Sequence, residues 1–243
     1  MPRVPYCGAA PPPSEWLERW NFDPALLASL ALLAVVWWLH VERTDRAQTR
    51  AFAAGMGVLV ILFVSPFCAL TSALFAARAA HHALQVAVAA PLLAWALPEA
   101  RAWGRQPLAA WTGLHALILW AWHYPPFYSA ALANDAIYWV MQASLLGTAL
   151  GFWASVRQAS VTAAVAALLA TMVQMGLLGA LITFASAPLY APHLLTTAPW
   201  GLSPLEDQQL AGLIMWAPAA AIYLVAALLI AGRWLRQEGR SAA

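Results

Sequence analysis

Between Ser72 and Leu97 the chain reads SALFAARAAHHALQVAVAAPLLAWAL, long enough to cross a bilayer as a helix yet interrupted by Arg78, His81, His82 and Gln85. An ionisable group at the centre of a lipid-exposed helix costs roughly 2.5–3.5 kcal/mol on the insertion scale. Helical spacing puts Arg78 and His82 (i, i+4) on one face, with His81 beside them and Gln85 one turn further on. The stripe must therefore face protein or water, and a chain that carries it needs further helices to wall it in.

The rest of the sequence supplies them. Of 243 residues, 63% are hydrophobic and only 9% charged, against about 25% charged in soluble domains. This is the composition of a membrane protein. A net charge of +2, carried entirely by arginines that are dispersed along the chain, excludes a nucleic-acid partner and leaves lipid as the surrounding medium.

Apolar runs at Pro24–Val41, Ala51–Ala69, Ser72–Leu97, Leu108–Trp122, Ala136–Val156, Ser160–Ser186 and Gln208–Trp234 predict an all-α bundle of seven transmembrane helices. Arg43, Arg46, Arg50, Arg101, Arg105, Arg157, Arg233, Arg236 and Arg240 fall in alternate connections or at the C-terminus. Positive residues favour the cytoplasmic side, so the N-terminus is expected outside and the C-terminus inside. Trp16 and Trp20 outside, with Trp37, Trp38, Trp103 and Trp234 near inner ends, fit the aromatic belts at the two interfaces. The expected organisation is an extracytoplasmic segment over residues 1–23, a transmembrane domain over 24–234 and a cytoplasmic tail over 235–243, in a bacterial plasma membrane.

The N-terminal MPRVPYCGAAPPPSEW lacks the apolar core and cleavage site of a secretory signal and is expected to be retained and poorly ordered. Cys7 and Cys68 belong to no paired-thiol motif; both fall on the outer side, where an oxidising compartment permits a disulfide. Gly147 and Gly151 form a GxxxG pair, and Gly176 and Gly179 line the sixth span, two places where helices can approach closely.

Topology sets depth. His82 lies ten residues beyond Ser72, roughly 15 Å below the outer boundary at 1.5 Å per residue. His123 ends the fourth span at the outer mouth, Met172 and Met175 share a face near the middle of the sixth, and Asp207 and Gln208 stand at the outer end of the seventh. The buried polar groups thus gather in the outer half, as a cavity open to one side rather than a path through the membrane. Imidazole suits copper, iron and zinc, and thioether sulfur selects Cu(I). His82, His123, Met172 and Met175, with Met215, are candidate copper ligands; axial ligation of a haem by two histidines is the alternative. Arg78 cannot ligate a metal, and its natural partner is a carboxylate or a cofactor propionate. Asp207 is the available carboxylate, and its place in SPLEDQQ also suits a helix N-cap. The sequence shows no nucleophile, base and orienting group in a recognisable arrangement and no Gly-rich phosphate loop, so a non-enzymatic role is expected.

Four stretches, SPFCALTSALFAARAAHHAL, LWAWHYPPFYSAALAND, TMVQMGLLGALITFASAPLY and GLSPLEDQQLAGLIMWAPAAAIYL, resemble the CtaG-type cytochrome c oxidase assembly factors, a family of seven-span bacterial plasma-membrane proteins. The resemblance implies a role in delivering or inserting copper into the oxidase, with oxidase subunits as partners. His123 and the run Asp207, Gln208 and Gln209 match the family pattern. Two of the family's usual histidines are missing. The family's third span carries two histidines four apart, and here Arg78 stands at the first and His82 at the second; the fifth-span Glu-His pair is Met141 and Gln142. A cation four residues from His82 repels a bound metal, so the resemblance also admits a metal-free accessory subunit of a respiratory oxidase.

Overall fold

The computed structural model describes residues 4–40, 46–97 and 106–241. Arg43, Arg101, Arg105 and Trp103, which enter the topology argument, lie outside the described residues. The described chain is helical, with no strand among these residues. Its helices are α1 (Pro24–His40), α2 (Arg46–Phe63), α3 (Phe67–Ala73), α4 (Phe75–Leu84), α5 (Ala90–Ala96), α6 (Leu108–His123), α7 (Pro125–Ala133), α8 (Asp135–Val156), α9 (Val161–Thr183), α10 (Pro204–Ile214) and α11 (Ala220–Ser241). Five-residue π turns, Gln85–Ala89 and Met215–Ala219, join α4 to α5 and α10 to α11.

Among the described residues, three continuous segments are long and apolar enough to cross a membrane: Phe75–Ala96, Val161–Thr183 and Pro204–Arg240. A fourth is obtained if α2 and α3, bent by 44°, count as one. Local chemistry sets the boundaries. Asn134 caps α8 by accepting the N–H groups of Ala136 and Ile137, and Ser203 and Glu206 form a reciprocal capping box at the start of α10. The third apolar run does not begin at Ser72. Leu74 is extended (φ −125°, ψ 130°), so Ser72 closes α3 and α4 starts at Phe75.

The α4–α5 segment is the axis. It packs against α10, α2, α8 and α3, while α9 lies against α11, α10 and α6 and α6 against α8. The closest helix approach differs from the GxxxG reading. No atom stands within 4 Å of a Cβ added at Gly147, and Gly151 faces the Trp111 ring. A Cβ at Gly179 would sit 2.7 Å from the Gly212 carbonyl oxygen, and one at Gly212 would strike Thr183 Oγ1, so it is α9 and α10 that touch backbone to backbone.

Residues 4–23 are ordered, contrary to the sequence expectation. Cys7 and Cys68 form a disulfide with Cα atoms 5.2 Å apart. Tyr6 stacks on Tyr138 with centroids 4.8 Å apart, Asn21 binds the carbonyls of Val64 and Phe63, and Trp200 Nε1 donates to the Pro11 carbonyl. These contacts hold residues 4–23 across the end of the bundle where α3 meets α4. Free termini are usually disordered because nothing ties them down, and here a covalent bond and an aromatic stack do so.

Candidate functional site

Arg78, His81, His82 and Gln85 are each no more than 1% exposed, so the polar stripe faces the protein interior. His82 lies seven residues into α4 from Phe75, about 10 Å along the axis. Its ring centroid is 5.7 Å from that of His123, with the planes at 84°. The two imidazoles are presented differently. His123 Nδ1 donates to the Leu119 carbonyl (2.7 Å), which in the neutral ring puts the lone pair on Nε2. Both ring nitrogens of His82 are buried without a hydrogen-bond partner. Buried polar atoms are nearly always bonded, so an orphaned imidazole is a ligand candidate.

His81, one step off the stripe, is held by structure: its Nε2 donates to the Leu62 carbonyl (3.1 Å) and its ring packs edge-on to Phe63. His115 bonds Thr148. Gln85 donates to the Gln142 carbonyl (3.0 Å), linking α4 to α8 at the opening of the π turn.

Arg78 and Asp207, expected as an ion pair, are not one. The Asp207 carboxylate accepts the backbone N–H groups of Phe75 (2.7 Å) and Ala76 (3.1 Å), capping α4 from a different helix, while Ser203 caps α10 itself. The physical reason is that Leu74 offers no side-chain acceptor, so the first N–H groups of α4 would otherwise be buried and unsatisfied. Arg78 instead donates through Nη2 to the Thr71 carbonyl (3.3 Å), and its Cζ lies 5.4 Å from the centroid of the Tyr138 ring. Gln208 accepts the Leu189 N–H (2.6 Å) and donates to the Ile182 and Ala187 carbonyls, tying α10 to the connection after α9.

The three candidate methionines stand in different surroundings. Met172 lines an apolar surface groove with Val173, Gly176, Leu177, Ala180 and Trp216. Met175 and Met215 are buried in the packing of α9 against the α10–α11 segment. Among the described residues no three His, Cys, Asp or Glu side chains form a metal-holding group.

A second imidazole assembly, which the sequence did not single out, adjoins the first. Tyr128 Oη donates to His193 Nε2 (2.6 Å), and His193 Nδ1 and Thr196 Oγ1 both approach the Ala73 carbonyl (3.4 and 2.7 Å). Phe75 stacks on Tyr190 (3.8 Å) between the His123 and His193 rings, and Tyr190 Oη donates to the His123 carbonyl (2.8 Å). Burial, reinforced by the nearby Arg78 charge and opposed by the Ala73 hydrogen bond, depresses the His193 pKa to about 3. Burial likewise pushes the Tyr190 hydroxyl up, with Tyr128 adding to the shift. His193 is therefore neutral near pH 7, which its acceptance of the Tyr128 proton requires. The one signal in the sequence was a histidine in the same outer connection set as His123.

Two orthogonal imidazoles with free lone pairs match a soft, low-coordinate ion better than a divalent one, because Arg78 raises the electrostatic cost of added positive charge. No curated protein and no solved structure matches the chain. A family model does, over residues 30–237, and it is described as cytochrome c oxidase caa3 assembly factor (Caa3_CtaG). That match spans all the helices from the middle of α1 to the end of the apolar part of α11, and the chain belongs to this family of cytochrome c oxidase assembly factors.

Proposed function

We propose that the protein helps load copper into cytochrome c oxidase from the outer face of a bacterial plasma membrane, carrying Cu(I) as cargo between His82 and His123. The observation that carries this reading is the His82 imidazole, buried with both nitrogens free and 5.7 Å from a second ring whose Nδ1 is engaged at the Leu119 carbonyl. The reading takes the chain as seven-spanning with its N-terminus outside. The arginine distribution supports that orientation, as does the Cys7–Cys68 disulfide, which belongs in an oxidising compartment and lies at the α3–α4 end of the bundle. Oxidase subunits are the acceptors. Met172 and Met175 are auxiliary donors on a helix that a moving cargo would pass, not members of the resting pair.

The test is anaerobic loading of the detergent-purified protein with Cu(I), followed by elemental analysis. About one copper per chain is expected in the wild type, and His82→Ala and His123→Ala each lose most of it. A wild type that retains no more copper than either variant overturns the reading.

A second reading is a metal-free accessory subunit, favoured by the buried cation at Arg78. It predicts salt-resistant, stoichiometric recovery with the mature oxidase rather than transient recovery with its precursors. Haem ligation by the same two imidazoles would give the purified protein a Soret band, and a colourless preparation removes it.

A further inference from the structure

Arg78 is 1% exposed, yet its Nε and Nη1 have no hydrogen-bond partner and its only bonded nitrogen makes a 3.3 Å contact to the Thr71 carbonyl. A guanidinium stays charged in any protein, and a buried charge persists only when it is compensated. No carboxylate pairs with it among the described residues. The ion pair found among the described residues, Arg19 with Glu15, lies on the surface, and both Asp207 oxygens are occupied by backbone N–H groups. The groups nearest Arg78 include the Tyr128 and Tyr138 phenols, which face its charge without carrying an opposite one.

We infer that Arg78 anchors a buried site for a small monovalent anion of halide size. The charge sets the valence: Arg78 is the only buried arginine among the described residues, so a monovalent ion leaves the site neutral and a phosphate-type dianion does not. A cavity of about 410 Å³ is bounded by Val4, Pro5, Ser72, Ser129, Leu132 and Thr196. Ser72, one of its lining residues, follows Thr71, whose carbonyl accepts from Arg78, and Ser72 Oγ is itself buried without a partner. The inference does not depend on copper.

The test uses copper-free full-length protein in detergent at constant ionic strength, with sodium gluconate replaced stepwise by sodium bromide. A saturable rise in the thermal midpoint is expected, roughly 3–6 °C at a tenfold excess over Kd. Chloride should compete with bromide for the site, and phosphate should not. Bromide NMR line broadening by the wild type, reversed by chloride, reads the same site without a variant. Arg78→Gln should abolish both responses, and Arg78→Lys, which keeps the charge but loses the fork, should weaken them. If the Arg78 variants fail to fold, the wild-type titrations still decide. A wild type without saturable, halide-specific stabilisation and broadening overturns the inference, and so does an Arg78→Gln protein that responds like the wild type. Because metal is absent throughout, failure here leaves the copper reading standing, and failure of copper binding leaves this one standing.

Discussion

Two segments of this molecule look alike on paper and behave as opposites. Phe75–Ala96 and Pro204–Arg240 are both long and apolar, and both are broken by a five-residue π turn. The first has 67% of its most apolar window buried and carries Arg78, His81, His82 and Gln85; the second, more apolar, has only 28% buried. In lipid the most apolar helix belongs at the periphery, and polarity marks the interior. The π turns divide in the same way. In the central segment the turn is fastened: Trp153 Nε1 donates to the Val86 carbonyl (2.9 Å) and Gln85 reaches the Gln142 carbonyl. In the peripheral segment it contains Pro218, with Trp216 and Ala217 lining the surface groove. The central helix is thus a fixed frame for side chains, and the peripheral one a cover whose N-terminal half, beginning with its first turn, packs on the frame.

That first turn is where the comparison is most easily broken. Asp207 belongs to the peripheral segment by sequence, but it caps the central one. Asp207→Ala leaves two buried N–H groups unsatisfied, at about 1–3 kcal/mol each. A loss of about 3 kcal/mol is expected in thermal or denaturant unfolding in detergent. Asp207→Asn, which keeps one strong acceptor, should lose less than half of that. Equal losses for Ala and Asn would mean that α4 does not depend on this cap.

A smaller effect separates the two segments by pH. His193 packs against the head of the central segment with its pKa near 3, whereas an unfolded histidine titrates near 6.5. Below about pH 6.5 the unfolded chain takes up a proton that the folded chain refuses, so this contribution is complete above that pH and is lost as pH falls toward 3. Between pH 6.5 and 4.5 the loss amounts to about 2 kcal/mol. His193→Gln should flatten that part of the stability profile. Glu206→Gln, in the fully exposed capping box of the peripheral segment, should not, because the Ser203 hydrogen bonds hold the Glu206 carboxyl below its ordinary range. A profile with the same slope in wild type and His193→Gln would remove the distinction.

The sequence shows helices where apolar runs are long, and it shows the interior stripe because charged and imidazole groups in such a run have nowhere else to go. It does not show what those groups touch. Asp207 reads as a cap for its own helix because local spacing is all a sequence displays, and the N–H groups it serves are 131 and 132 residues away. The break at Leu74 carries no proline or glycine and is invisible for that reason. His193 sits in a connection without periodicity, so nothing assigned it a direction. Met172 and Met175 share a face of an almost wholly apolar helix, and such a helix gives no hint of which face looks outward; Met172 proves to line a surface groove. Cys7 and Cys68 were compatible with a disulfide, but pairing depends on the N-terminal segment folding back across the bundle.

The finest test of the frame-and-cover distinction uses two glycines. Gly55 on α2 faces the central segment, and a Cβ there would lie 2.9 Å from both Cγ and Cδ2 of Leu93 on α5. Gly232 on α11 has open space around the same position. Replacing a helical glycine with alanine gains about 0.5–1 kcal/mol from backbone entropy when nothing is in the way. Gly232→Ala should therefore raise stability by about 0.5 kcal/mol. Gly55→Ala receives the same entropic gain but must displace a fully buried leucine in a close-packed interior, at about 1–3 kcal/mol, so its net effect should be a loss of about 1 kcal/mol. The opposite signs matter more than the sizes: if Gly55→Ala stabilises as Gly232→Ala does, Leu93 has room to move, and the central helix is not the rigid frame on which the placement of His82 opposite His123 depends.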